Sequence, residues 1–417
     1  MASKQFFMQL SAQVVLQEEN AGESALPRAR AILPHPSKIV SGFRQKLIKW
    51  LMWMNILLVS ISKFRSPLLG IKKTKQLRKL RDQYRNQHLP VKYSSVSNKY
   101  FVNYNTPAWP SQAFNHYVAH LLNRAVPGKQ TSLNTLVFAI TKKCGFQCEH
   151  CCEWENLNKP EKLSKHHLLS IVRKFQQLGV SQIQLSGGEP LNRFDDILFI
   201  LDNAARGTDF WLYTTGFQLT AEKARVLKGH GLRGVTISLD HHDPEFHDAF
   251  RGKKSAYHRA LQAARFVVDA KLALCFSLCA TRQFTSPENL TKYAEVAKNA
   301  GASFVQILEP KAVGHYAGQD VTLKDHHQKI LEQFSEQMNY DKACSSYPIV
   351  TYHGDYSRRI GCSGSGKDYL YVDTDGDVHN CPFCQRKLFS ALDESLEESI
   401  CAMKLKGCAA YANCSVH

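Results

Sequence analysis

Residues 135–151 read Thr-Leu-Val-Phe-Ala-Ile-Thr-Lys-Lys-Cys144-Gly-Phe-Gln-Cys148-Glu-His-Cys151, an apolar run that passes directly into three cysteines within eight positions. The run predicts a strand over 136–140, with the cysteines at its carboxyl end. Downstream, five more short apolar runs (183–186, 210–214, 235–239, 272–280 and 304–308) alternate with segments of helical spacing at 166–178, 194–205, 221–228, 257–270 and 288–300. Gly179, Gly229 and Gly301 stand where helix C-terminal caps belong. Strict alternation of strand and helix implies an α/β fold with a parallel sheet, open or closed into a barrel. In such sheets reactive groups gather at the carboxyl ends of the strands.

Three groups of residues occupy such ends. Cys144, Cys148 and Cys151 follow the first strand, and their thiolates can converge on one inorganic centre. By spacing alone that centre is a cubane iron–sulfur cluster with one iron left open, or zinc with a fourth ligand from elsewhere, or no centre at all. Cys152 reads as a bystander. Ser186-Gly187-Gly188-Glu189-Pro190 follows the second strand; two glycines expose backbone, and a carboxylate can hold an ammonium or hydroxyl. Ser238-Leu-Asp240 ends the fourth strand, with Arg251-Gly252 shortly after, a set that suits a zwitterionic ligand bearing a ribose.

In order and spacing these pieces resemble the radical SAM (S-adenosylmethionine) superfamily over about residues 135–340. The resemblance rests on Cys144, Cys148 and Cys151, on Gly187-Gly188-Glu189-Pro190, on Tyr213-Thr-Thr-Gly216 and on Ser238-Leu-Asp240. One departure is His150, where the family usually places an aromatic residue; histidine can also stack on adenine. The resemblance implies a partial (β/α)6 TIM-like barrel with a [4Fe–4S] cluster on the three cysteines. It implies SAM held by Gly187, Gly188, Glu189, Thr214, Ser238, Asp240 and Arg251. Reductive cleavage of SAM to a 5′-deoxyadenosyl radical would follow, with a flavodoxin or ferredoxin type of electron donor.

Six further cysteines lie beyond residue 361. Cys362 and Cys381 flank a hairpin signalled by Thr374-Asp375-Gly376-Asp377. The segment 361–367 nearly matches a phosphate-binding loop, but Asp368 stands where Ser or Thr is needed. Cys381-Pro-Phe-Cys384 has the spacing of a redox pair without the βαβ setting. The tail resembles the SPASM/twitch extensions of radical SAM enzymes, which implies one auxiliary [4Fe–4S] cluster on Cys362, Cys381, Cys384 and either Cys408 or Cys414; zinc is the alternative. Cys275 and Cys279 read as core and Cys344 stays unassigned. His241, His242 and His247 read as loop residues, and Glu309 and Tyr316 as candidate catalytic residues at the barrel mouth.

Charge divides the 417-residue chain differently from sulfur. Residues 1–130 carry 20 Lys/Arg against 4 Asp/Glu and no cysteine, whereas residues 131–417 carry 33 against 32 and all 13 cysteines. Nothing in residues 1–30 resembles a secretory signal, so the thiols are expected in a reducing, cytoplasmic compartment. The stretch 50–61 is twelve uncharged residues with two tryptophans, set in a basic collar. It predicts a helix over about 44–62 lying in the plane of an anionic membrane surface, peripheral to the inner face, or else packed on the next domain with a solvated basic face beside it. Aromatic residues are too sparse among the basic ones for a nucleic-acid platform. Three units are expected: a basic N-terminal helical extension (1–130), the barrel (131–340) and a small cysteine-rich C-terminal domain (341–417). The expected function is hydrogen abstraction from a lipophilic or membrane-associated substrate. The alternatives are a peptide- or protein-modifying enzyme of maturase type and a non-catalytic iron–sulfur or zinc-binding scaffold.

Overall fold

The computed structural model describes residues 39–84, 90–124 and 133–406. It opens with β1 (Ile39–Ser41), α1 (Gly42–Phe64), α2 (Pro67–Tyr84), β2 (Lys92–Val96), β3 (Lys99–Phe101) and α3 (Gln112–Arg124). α1 is rich in Leu, Ile, Met and Lys and stops where Arg65 turns left-handed at φ 52°. Pro67 then starts α2, the one helical position where a missing N–H costs nothing. The two helices touch closely: Gly70 lies on Ile61, and the Ser60 hydroxyl donates to the Gly70 carbonyl (3.1 Å). Ile48, Met52 and Ile56 of α1 pack with Leu77, Tyr93, Phe114, Val118 and Leu122 over the antiparallel sheet β1-β2-β3. The expected helix of 44–62 therefore exists, with one face committed to this small core.

The alternation predicted from residue 135 onward follows as β4 (Thr135–Ala139), α4 (Lys165–Gln177), β5 (Gln182–Ser186), α5 (Phe194–Asn203), β6 (Asp209–Thr214) and α6 (Ala221–Gly229). It continues as β7 (Gly234–Ser238), α7 (Pro244–Arg251), α8 (Ala256–Asp269), β8 (Ala273–Cys279), α9 (Pro287–Asn299) and β9 (Phe304–Leu308). All six expected strands form, each parallel to the next in sequence order. Leu136, Phe138, Ile183, Leu185, Ile237 and Phe276 face outward, into the core shared with the helices. At the lower end of the barrel Trp211, Cys275 and Phe304 meet Phe101, Tyr104 and Ala108, so β3 and the loop after it plug that end. Gly179 and Gly301 carry the positive φ expected of caps (88° and 78°), but after α6 that role falls to Gly231 (95°) and not to Gly229, which is still helical.

The last part of the chain adds α10 (Asp325–Tyr340), β10 (Ile349–Tyr352), α11 (His353–Ile360), β11 (Tyr369–Val372), β12 (Asp377–His379), β13 (Phe389–Ser390) and α12 (Leu396–Lys406). β10 pairs in parallel with β9, and β11 in parallel with β4. Segments beyond residue 340 thus supply both edges of one ten-stranded sheet, and the sheet runs across the boundary drawn from sequence. The hairpin at Asp375-Gly376 closes as expected, with Tyr371 opposite His379 and Val372 opposite Val378.

Candidate active site

The loop after β4 is held from every side. Asn158 closes a two-bond ring on Cys144, its side chain accepting from the Cys144 N–H (3.1 Å) and donating to the Cys144 carbonyl (3.0 Å). The Gln147 and Glu149 amides donate to the carbonyls of Arg251 and Phe250. His315 donates its backbone N–H to the Cys151 carbonyl and pairs through Nδ1 with the Cys148 carbonyl (2.9 Å), while its ring stacks on Trp154 at 3.7 Å. Gly314 makes that approach possible: at φ 57° a Cβ there would stand 2.1 Å from the Cys151 carbonyl oxygen. Burial pushes the Cys144 thiol up to about 11 and the Cys151 thiol up to about 12, and it raises Cys148 against the pull of Arg251. Thiols so buried become thiolates when a cationic centre binds them.

Beside this loop, the Gly188 and Glu189 amides donate to the Thr141 and Lys143 carbonyls, both at 2.7 Å. The two glycines are needed for that contact, since a Cβ at Gly187 or Gly188 would meet those carbonyl oxygens at 2.6 and 2.5 Å. Glu189 itself is buried and spends its carboxylate on the protein. It accepts from the Thr214 hydroxyl (2.7 Å), the Thr215 amide and hydroxyl (2.9 and 2.6 Å) and the Leu191 amide (3.2 Å). It ties the ends of β5 and β6 together, leaving Gly187, Gly188 and Thr214 to line the cavity. Asp240 is buried with Arg251, whose Nε donates to its carboxylate at 2.6 Å; a second Arg251 N–H reaches Cys148 Sγ at 3.5 Å. Burial would push the Asp240 carboxyl up, but the Arg251 guanidinium, the two neighbouring histidines His150 and His247, and the Cys279 amide together hold the group below the usual range. His247 accepts from the Asp240 amide (3.1 Å), so it positions that strand end.

Cys144, Cys148, Cys151, Gly187, Gly188, Thr214, Ser238, Asp240 and Arg251 all line one cavity of about 960 Å3. His150 joins them with its ring stacked on Phe250 (4.9 Å), held neutral by burial, and its buried Nδ1 has no hydrogen-bond partner. Three thiols, a bared glycine backbone and one unsatisfied buried donor–acceptor facing a common space fit a cluster together with a nucleoside-bearing ligand. The family model described as the radical SAM superfamily matches residues 138–281. That stretch is a radical SAM domain, and it holds the three cysteines, the paired glycines and the Asp240–Arg251 pair.

Among similar proteins, the AdoMet-dependent heme synthase of Methanosarcina barkeri (strain Fusaro / DSM 804) is 26% identical over 273 residues, 60% of this chain and 76% of that one. The PqqA peptide cyclase of Streptomyces rochei is 29% identical over 253 residues, 59% and 68% of the two chains. Among solved structures, Streptococcus suis SuiB bound to precursor peptide SuiA aligns with a TM-score of 0.54 at 13% identity, over 80% of this chain and 78% of that one, a likeness of fold. The chain is a radical SAM enzyme whose cofactors are a [4Fe–4S] cluster and SAM.

The two expected catalytic residues lie away from the cavity wall. Glu309 accepts from Arg358 (2.6 Å), the Tyr352 hydroxyl (2.7 Å) and Lys311 (3.1 Å), an anion that links the end of β9 to α11. Tyr316 donates to Glu149 (3.1 Å) and braces the cysteine loop. The inner end of the cavity is lined instead by Gln184, Tyr213, Gln306 and His353, of which the sequence reading named only Tyr213, as the start of Tyr213-Thr-Thr-Gly216. The Tyr213 hydroxyl meets Gln184 (3.1 Å), Gln306 (3.3 Å) and Tyr104 (2.7 Å), and the Gln306 amide donates to His353 Nε2 (3.1 Å). A signal was present: Gln184 and Gln306 each interrupt an apolar strand at a position that the twofold period turns inward. Cys279, read as core, is buried but faces the same cavity, whereas Cys275 is in the lower core.

In the C-terminal part, Cys381 and Cys384 stand with their sulfurs 3.4 Å apart, and the Gly364 amide donates to Cys362 Sγ (3.3 Å). All three thiols act on the buried Tyr369 hydroxyl, raising its pKa beyond what burial alone does. Cys408 and Cys414 lie outside the described residues. The buried Lys142 pairs with Asp375 (2.6 Å), and the Tyr371 hydroxyl donates to Glu153, so this hairpin is anchored to the cysteine loop.

Proposed function

We propose that this radical SAM enzyme modifies a peptide or protein side chain. The observation that carries the reading is the inner end of the cavity: Gln184, Tyr213, Gln306 and a neutral His353 offer amide, phenol and imidazole groups without a formal charge. Burial holds His353 down at about 4, so near neutral pH it hydrogen-bonds as an uncharged ring. Such a surface pairs with amide groups and gives a phosphate or carboxylate no counter-charge. The likeness to a peptide cyclase and to a precursor-peptide enzyme supports the same reading.

The bound cluster and SAM supply a hydrogen-abstracting radical. The chain's residues hold SAM between the glycine backbone and the Asp240–Arg251 pair, keep water from the space between them and set the substrate beneath. Cys362, Cys381 and Cys384, with Cys408 or Cys414, hold an auxiliary cluster. A flavodoxin or ferredoxin in the cytoplasm donates the electron.

A second reading, a lipophilic substrate, has one observation in its favour. The cavity continues past the barrel between α1, α2 and α3, where Met52, Trp53, Ile56, Leu77, Phe114 and Val118 make an apolar wall. The test is isotopic. Reconstituted holoenzyme is given peptide or lipid extracts from cells grown on deuterated amino acids or deuterated fatty acids. Deuterium in 5′-deoxyadenosine from the peptide extract alone is the expected result; label from the lipid extract alone replaces this reading with the second.

A further inference from the structure

We propose that α1 and the start of α2 form a docking surface for an anionic membrane. α1 has two apolar stripes. Gln45, Ile48, Met52, Ile56 and Ser60 face the protein. Phe43, Leu47, Trp50, Met54 and Leu58 face outward and are 82, 47, 58, 41 and 62% exposed. Members of the two sets lie two positions apart along most of the helix, about 200° around it, so one helix has an inner and an outer apolar face. Leu68, 83% exposed at the start of α2, extends the outer patch.

What covers this face is indicated by the charge around it. Residues 42–81 hold eleven Lys/Arg and no Asp/Glu, and Arg44, Lys46, Arg65, Lys72 and Lys75 among them are exposed. An apolar strip inside a basic ring matches the acyl boundary and headgroups of an anionic bilayer. A second copy would set one basic ring against another, and a nucleic acid would leave the apolar strip exposed. At 23 residues α1 is long enough to cross a bilayer. Its inner stripe is already packed on β2, α2 and α3, so it lies along the surface. The same helix walls the cavity through Met52, Trp53 and Ile56 on its other side, so docking sets the cavity about one helix diameter, roughly 10 Å, from the interface.

The test uses the full chain with vesicles of phosphatidylcholine and phosphatidylglycerol in equal parts, and with phosphatidylcholine alone. The protein is expected to float with the mixed vesicles only, and to be released by high salt. The double variant Leu47→Glu with Leu58→Glu should lose about tenfold or more in vesicle binding while still forming 5′-deoxyadenosine, since neither residue lines the cavity. Trp50 emission should shift to the blue with mixed vesicles, a shift missing from Trp50→Phe. Failure to float, or binding untouched by the double variant, overturns the proposal. So does a dimer that the double variant dissociates, which assigns the face to a second copy. A Trp50 emission already blue-shifted without vesicles overturns it in favour of residues 1–38 of the chain itself.

Discussion

The two cysteine sites of this molecule are built to different degrees. Around Cys144, Cys148 and Cys151, four separate parts of the chain fix the loop: Asn158, the Gly188–Glu189 backbone, the Phe250–Arg251 carbonyls and His315. Around Cys362, Cys381 and Cys384, the contacts among the described residues include the Gly364 amide, the Cys381–Cys384 pair, the Tyr369 hydroxyl and His379, all within the same short stretch of chain. A centre that must keep one position open for a ligand cannot take its geometry from a full set of protein donors, so the surroundings impose it. A centre closed by its own ligands needs less outside bracing.

The largest effect expected from this contrast is at the metal ligands. Cys148→Ala should abolish 5′-deoxyadenosine formation down to background and remove about four irons per chain. Cys384→Ala should lose a similar amount of iron yet keep abortive 5′-deoxyadenosine formation near the parent level, measured with dithionite and SAM under anaerobic conditions. Equal loss in both variants would erase the distinction between the sites.

Next in size is Arg251, a cation placed between Asp240 and Cys148. Replacing it with Gln leaves Asp240 buried without its partner and removes a charged donor from the cavity. SAM affinity of the reconstituted holoenzyme should weaken about 10–100-fold, read by calorimetric titration. An unchanged affinity would reduce Arg251 to a structural partner of Asp240.

A third effect separates the braced loop from a merely flexible one. Gly314→Ala forces a left-handed residue and drives a Cβ into the Cys151 carbonyl, at a cost of about 2–4 kcal/mol. Gly145→Ala lies in the same cysteine loop with nothing within 4 Å and should be close to neutral. Denaturant midpoints of the two variants compare them directly; similar values would show that His315 and its turn do not hold the loop.

What could be read beforehand follows the same division between local and long-range information. The six strands and the cysteine, glycine and Ser-Leu-Asp groups were legible because each is a local pattern: a β-branched run, a spacing, a turn. The pairing of β10 with β9 and β11 with β4 was not, because a four-residue strand such as Ile349–Tyr352 has too few alternations to announce its partner. Glu189 and Glu309 share a feature that a sequence does not show. A carboxylate at a strand end looks ligand-facing until its donors are known, and here Thr214, Thr215 and Arg358 claim them. Gln184 and Gln306 were passed over because a glutamine in a strand is conspicuous only once its inward direction is known.

Glu309 gives the smallest effect and tests whether a buried anion beside the mouth belongs to the chemistry. Burial pushes its carboxyl up, but Arg358, Lys311 and the Tyr352 hydroxyl together hold it below its ordinary 4.5. A lowered folded value means that the charged form stabilises the fold above about pH 4.5, and that this contribution is lost as pH falls through the lowered value. Glu309→Gln should therefore cost about 1–2 kcal/mol at neutral pH, since Arg358 and Lys311 are each partly solvated. The difference from the parent should shrink on acidification below pH 4.5. 5′-Deoxyadenosine formation should persist. Its loss in a variant with an unchanged denaturant midpoint would put Glu309 at the reacting atoms, and would place the working end of the cavity at the β9–α11 edge.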